Sequence, residues 1–313
     1  MHERVAVGGT ASVHLGWLVR AERVVAVKRL HPHHIADELA IARVREEARV
    51  AMSVDHPNVV ATLGVVRHPG ELLAALEYVP GASLAEIAGA VTGGLEPQIA
   101  SAIAADALRG VHAAHETRTA RGARARPVSR DVSSISSGSV LVGEDGRARI
   151  IDFDVPSAAT ANGIQGKLAY AAPEQLLRRG VDARRDVYAA SVVLWETLTG
   201  RPLFRGPSVE TMLRKILSDA VPPPSRFARG VSPELDAIVL RGLARDPAHR
   251  FASASAMATA LEQASCASAD EVAQALAAMD LACVQRRRSL VDVVQSREGN
   301  VLHIECNERA SKD

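Results

Sequence analysis

Few residues in this chain are equipped for chemistry. They are a lysine at the end of a β-branched run (Val25-Ala26-Val27-Lys28), two glycines between alternating stretches (Gly8 and Gly9), and two aspartates. Asp131 follows Arg130 and opens a Ser/Gly-rich run, Asp131 to Val140; Asp152 precedes Phe153 and a second aspartate, Asp154. Carboxylates take up protons and are the hard oxygen donors that Mg²⁺ prefers, and a serine hydroxyl is a further oxygen donor. Glycine lets backbone N–H groups come close to a bound group. Each feature also has a plainer reading. Gly8-Gly9 makes an ordinary hairpin turn, Lys28 a surface strand lysine, and the Ser/Gly run a flexible loop. The order of the features along the chain decides between these readings.

The elements that must carry these residues can be read from periodicity. Residues 4–19 alternate like strands on both sides of the glycine pair, and Arg23–Leu30 is a further strand. Ile35–Val54 has helical spacing and runs up to Asp55-His56-Pro57-Asn58. Asn58–Val79 reads as two strands joined by His68-Pro69-Gly70. Helical patterns then dominate: Ile99–His115, Arg185–Thr199, Val209–Leu217, Pro233–Ala244 and Ser255–Gln263. A β-rich front therefore meets a helical remainder around Glu77–Ala82. A last amphipathic helix is expected over Asp270–Leu290, with Arg286–Arg288 at a solvated end and fraying after Ser296. It is expected to be non-catalytic and to pack on the helical part or on a partner.

In this order, the stretches resemble a bacterial serine/threonine protein kinase of the eukaryotic-like type, over nearly all of residues 4–264. The resemblance implies a two-lobed protein kinase fold of the α+β class. It implies a small lobe over 1–80, a large helical lobe over 81–264 and a helical, partly disordered tail over 265–313. ATP and Mg²⁺ are the implied cofactors, and a protein is the implied phosphoacceptor. Ala6–Val13 takes the place of the glycine-rich loop over the phosphates, with Gly8 the one marked glycine retained and Gly9 beside it. Val13, Ala26 and Leu141 would line the cofactor. Lys28 would hold the phosphates while paired to Glu47, with Glu46 as fallback. Glu77 to Val79 would link the lobes and offer main-chain groups to the adenine edge, with Leu76 behind. Asp131 matches the aspartate that takes the substrate hydroxyl's proton, Arg130 its bracing neighbour, and Asp152 a metal ligand. Ala172-Pro173-Glu174, Asp186 and Arg250 match fold-level features, and Arg250 is expected to pair with Glu174.

The chain also departs from the family pattern. Ser129 stands where a histidine is usual, Ala11 replaces a loop glycine, and Asp154 replaces the glycine after Phe153. Counted back from the strand at Val140, the metal-binding asparagine position falls on Ser139, eight residues beyond Asp131 rather than five. The loop thus carries a three-residue insertion, with Ser133 where a lysine is common. Two readings of different class follow. One is an ATP-dependent kinase slowed by its altered loop; the other is an inactive, nucleotide-responsive scaffold.

Composition sets the remaining limits. The chain has 313 residues, 47% of them hydrophobic and 3% aromatic, which is ample for a core built of small residues. A net charge of +1 provides no general field toward nucleic acid or membranes. Cys266, Cys283 and Cys306 have no metal-ligand spacing and read as reduced thiols. No apolar signal region opens the chain, and no stretch reads as membrane-spanning. A cytoplasmic location is expected. Little precedes the glycine turn, so the first strand is expected to be short.

Overall fold

A computed structural model describes residues 4–7, 11–31, 51–68, 71–117, 135–151, 168–296 and 302–304. The chain divides into two compact units. One comprises residues 1–55, 60–80 and 282–313; the other comprises 56–59 and 81–281. The first unit is built on a sheet and the second is mainly helical, which is the α+β, two-lobed arrangement expected.

The sheet of the first unit has the order β1-β2-β3-β5-β4: β1 (Arg4–Val7), β2 (Ala11–Leu18), β3 (Arg23–Leu30), β4 (Thr62–His68) and β5 (Glu71–Glu77). All four pairings on this path are antiparallel. Strict alternation places Val25 and Val27 of β3 on one face, fully buried with Leu18, Leu73 and Ala75. Ala26 and Lys28 occupy the other face.

The second unit opens with a three-stranded sheet of β6 (Gly81–Ser83), β7 (Val140–Gly143) and β8 (Ala148–Ile150). Its helices are α1 (Leu84–Ala90), α2 (Pro97–Glu116), α3 (Pro173–Leu176), α4 (Arg184–Thr199), α5 (Val209–Ser218), α6 (Pro233–Gly242), α7 (Ala254–Ser265) and α8 (Ala269–Ala278). Serine caps start five of them: Ser83, Ser208, Ser232, Ser253 and Ser268 each accept a backbone N–H from the first turn. Glu86 and Glu271 complete capping boxes at α1 and α8. α4 is buried along nearly its whole length, and α2 packs against α4 and α7 through an alanine-rich face. Gly200 ends α4 at φ 65; a Cβ there would lie 2.5 Å from the Gly94 nitrogen.

The C-terminal segment differs from expectation. The single helix expected over Asp270–Leu290 is two helices. α8 ends at Ala278, Asp280 adopts φ 46, and α9 (Ala282–Ser296) begins after this break. Asp tolerates the left-handed region, which a continuous helix cannot contain. α8 packs on α2 in the second unit, whereas α9 packs on β2 and β3 in the first. The basic run Arg286–Arg288 therefore lies within α9 and not at its end. Beyond Ser296, a further strand, β9 (Leu302–Ile304), pairs in parallel with β2. No helix among the described residues is long and apolar enough to cross a membrane.

Candidate functional site

In the first unit, strand register brings three of the expected cofactor residues, Val13, Ala26 and Lys28, onto one face. Val13 of β2 lies opposite Lys28 of β3, which lies opposite Ala74 of β5. Ala26 lies between Leu15 and Leu76. Paired residues in antiparallel strands share a face, so Val13, Ala26, Lys28 and Leu76 form one surface. Val13, Ala26 and Lys28 are half-buried. At the end of β5, the Glu77 N–H donates to the Ala61 carbonyl at 2.8 Å, and the Ala61 N–H reaches the Glu77 carboxylate at 3.4 Å. Val79 is buried two residues later. Gly8, Gly9, Glu46 and Glu47 lie outside the described residues.

In the second unit, the end of the inserted loop is a closed serine turn. Ser137–Ser139 form one 3₁₀ turn. The Ser139 hydroxyl accepts the Ser136 N–H at 2.8 Å and the Ser136 hydroxyl at 3.4 Å, and donates to the Ser136 carbonyl at 3.0 Å. A hydroxyl has one proton and two lone pairs, so the Ser139 oxygen is spent within its own turn. The Ser139 carbonyl accepts the N–H of Ile151 at 2.9 Å. Asp152 is the next residue in the chain and lies outside the described residues, as do Ser129, Arg130, Asp131, Ser133 and Asp154. Leu141 is half-exposed on β7, between the buried Val140 and Val142. Among the described residues, no cluster of three or more His, Cys, Asp or Glu side chains could hold a metal.

Two supports of this turn, Ile135 and the Tyr170–Glu196 pair, carried no recognised signal in the sequence. Ile135 is 1% exposed and lines a small apolar space together with Leu84, Ile103, Val140, Val193 and Leu194. The inserted loop thus contributes a core residue. Ser137 donates to the Tyr170 hydroxyl at 3.2 Å, and Tyr170 donates to Glu196 of α4 at 2.9 Å. The other Glu196 oxygen accepts the Leu203 N–H. Burial pushes the Tyr170 phenol up to about 12, with Glu196 adding to the effect, and burial also raises the Glu196 carboxyl. His115, at the end of α2, meets the fully buried Asp186 of α4 at 2.8 Å. Burial raises the Asp186 carboxyl, against the opposing pull of the His115 hydrogen bond. This contact ties the end of α2 to the start of α4. Asp106 accepts the Ala148 N–H, and Asn58 donates to the Ala148 carbonyl, so β8 is fixed on both sides.

The expected fold-level pair is present. Glu174 and Arg250 make two parallel hydrogen bonds of 2.8 and 2.7 Å, with the Arg250 side chain fully buried.

The protein kinase domain family matches residues 1–261 of the chain. The serine/threonine-protein kinase PknB of Mycobacterium leprae is 32% identical over 289 residues, which are 88% of this chain and 44% of that protein. PknB of Mycolicibacterium smegmatis is 34% identical over 268 residues, 82% of this chain and 41% of its own length. The serine/threonine-protein kinase PknL of Mycobacterium tuberculosis is 33% identical over 265 residues, 83% of this chain and 63% of that protein. The chain therefore spans less than two thirds of each of these relatives. Among solved structures, the Mycobacterium tuberculosis PknI kinase domain superposes with a TM-score of 0.61 at 24% identity, over 83% of this chain and 93% of that one. That likeness concerns the fold.

Proposed function

The chain belongs to the bacterial eukaryotic-like serine/threonine protein kinase family, and from that premise we propose that it binds ATP–Mg²⁺ and transfers phosphoryl groups to protein Ser/Thr hydroxyls only slowly. Support for nucleotide binding comes from the shared face of Val13, Ala26, Lys28 and Leu76. Lys28 is the phosphate-holding cation of this reading, with Glu47 as its partner and Gly8 and Gly9 covering the phosphates. Glu77 and Val79 offer main-chain groups to the adenine edge, and the family resemblance assigns Leu141 an apolar contact with the cofactor. Asp131 takes up the substrate hydroxyl's proton. Asp152 would hold Mg²⁺, with Ser139 at the place of a second ligand, and the ion would supply charge neutralisation at the phosphates. In this chemistry catalysis is nearly all positioning and charge neutralisation.

One observation carries the claim of slowness: the Ser139 hydroxyl is already engaged three times within its own turn. Coordinating a cation would break at least one of those bonds, and serine is shorter than the asparagine it replaces. Loss of one metal ligand costs on the order of 10²–10³ in rate. The same closed turn also favours the second reading, a nucleotide-responsive regulator without transfer activity. Transfer from labelled ATP, measured beside Asp131→Asn, separates the two. Slow transfer abolished by Asp131→Asn supports the impaired kinase. Transfer equal in both proteins supports the regulator, and transfer as fast as that of an ordinary kinase sinks both. The acceptor protein is unassigned, and a cytoplasmic setting is part of this proposal.

A further inference from the structure

The outer edge of β2 is shared by two strands from opposite ends of the chain. β1 pairs only with Ser12, Val13 and His14. The edge continues through Gly16, Trp17 and Leu18, and these residues pair with Leu302, His303 and Ile304 of β9. The Val19 N–H closes the ladder on the Ile304 carbonyl at 3.1 Å. Without β9 this stretch of β2 would be an open sheet edge with unpaired backbone groups.

The contact extends into the core. Ile304 is 2% exposed and sits among Leu18, Val25, Val27, Leu73 and Ala75, with Leu302 packed beside it. Gly16 leaves the room: a Cβ there would lie 2.9 Å from the Leu302 carbonyl oxygen and 2.9 Å from Val27. α9 leads into this strand and rests on β2 and β3, with Val294 buried. Yet β9 is only three residues long and parallel, a marginal strand by itself. Its one deeply buried side chain is that of Ile304.

We propose that β9 is an intramolecular strap: it adds itself to the edge of β2, completes the core of the first unit, and by docking holds β2 and β3, and with them Lys28, in the arrangement that binds nucleotide. Val27 is the link, because it touches the Gly16–Ile304 contact on one face and precedes Lys28 on the other. The occupant of this edge is the chain's own Leu302–Ile304, an extended segment with aliphatic residues two apart and a histidine between them. The coupling to ATP rests on the nucleotide-binding reading above.

The test uses the full chain, Ile304→Asp, and a chain ending at Ser296. Amide hydrogen exchange at Gly16–Val19 reports docking without nucleotide, and calorimetric titration with ATP–Mg²⁺ reports the coupling. Both variants are expected to lose protection at Gly16–Val19 and to bind ATP about tenfold more weakly, with β3 and β5 still protected. A synthetic peptide of residues 298–308 should restore both properties to the truncated chain, and the same peptide carrying Ile304→Asp should restore neither. Unchanged protection in Ile304→Asp overturns the strap. Lost protection with unchanged ATP affinity overturns its control of nucleotide binding. A parent chain that binds no ATP sinks the nucleotide reading itself, while exchange still decides whether β9 docks.

Discussion

Arg250 uses all five of its N–H donors: two on Glu174, and one each on the carbonyls of Arg184, Ala244 and Arg245. Its guanidinium also lies 4.9 Å from the centre of the Tyr188 ring. Arg250→Ala would leave the Glu174 carboxylate buried without its partner, at a cost of roughly 3–5 kcal/mol. The thermal midpoint should fall by about 10 °C; a melt equal to the parent's would refute this role. Arg250→Lys should not rescue it, because an ammonium cannot make the paired fork. Glu196 gives a pH-dependent prediction. Burial raises its carboxyl above the ordinary value of 4.5, so the folded chain holds that proton more tightly than the unfolded chain does. The stability this contributes is complete below pH 4.5 and is lost as pH rises through the raised value. Glu196→Gln should therefore show a shallower loss of stability with rising pH in urea titrations; parallel curves would refute it. Lys28→Ala should weaken ATP binding by roughly tenfold, the worth of one charge-assisted hydrogen bond, as read by calorimetry. The pairing of Glu174 with Arg250 was legible in the sequence because two motifs mark it. The chain Ser137–Tyr170–Glu196 was not, since it joins three distant segments through hydroxyls that have many local alternatives.

At the scale of elements, the serine turn and the residue before it behave differently. Ser136 to Ser139 make a turn closed by its own hydroxyls and tied outward through Ser137 to Tyr170, whereas Ile135 is a core side chain. Ile135→Ala should cost about 2–5 kcal/mol through the cavity it leaves. A repair of the loop must therefore keep Ile135. Deleting Ser136, Ser137 and Gly138 while changing Ser139→Asn restores the five-residue spacing from Asp131 and preserves it. Phosphoryl transfer should then rise by on the order of 10²-fold, with ATP affinity little changed and a stronger dependence on Mg²⁺. Transfer that stays undetectable would move the defect to Asp154 and Ala11. The helices were readable to within a few residues where 3.6-residue periodicity and serine caps coincide, as in α5 to α7. The break at Asp280 was not, because apolar spacing continues across it and only the backbone angle of one residue divides α8 from α9.

At the scale of the molecule, the chain makes two cores, and its two ends belong to one of them. Ile135 is buried in the second unit and Ile304 in the first. Ile135→Ala and Ile304→Ala should therefore have additive effects on total unfolding free energy, within about 0.5 kcal/mol. A larger coupling in chemical denaturation of the double variant would mean that the two cores do not respond independently. The order of motifs from Gly8 to Arg250 was enough to assign the fold, because each motif combines a residue type with the strand or helix that presents it. That Val25 and Val27 face away from Ala26 and Lys28 follows from alternation once Arg23–Leu30 is a strand, since side-chain direction in a strand is local. The tail was a different matter. Leu302-His303-Ile304 is too short for periodicity to mark as a strand, and its hydrogen-bonding partner is nearly three hundred residues away in sequence. Only the tertiary structure could assign it to β2, because the β2 edge, the missing side chain at Gly16 and the buried Val27 lie near one end of the chain and Leu302–Ile304 near the other, and they form a site only once the sheet has formed.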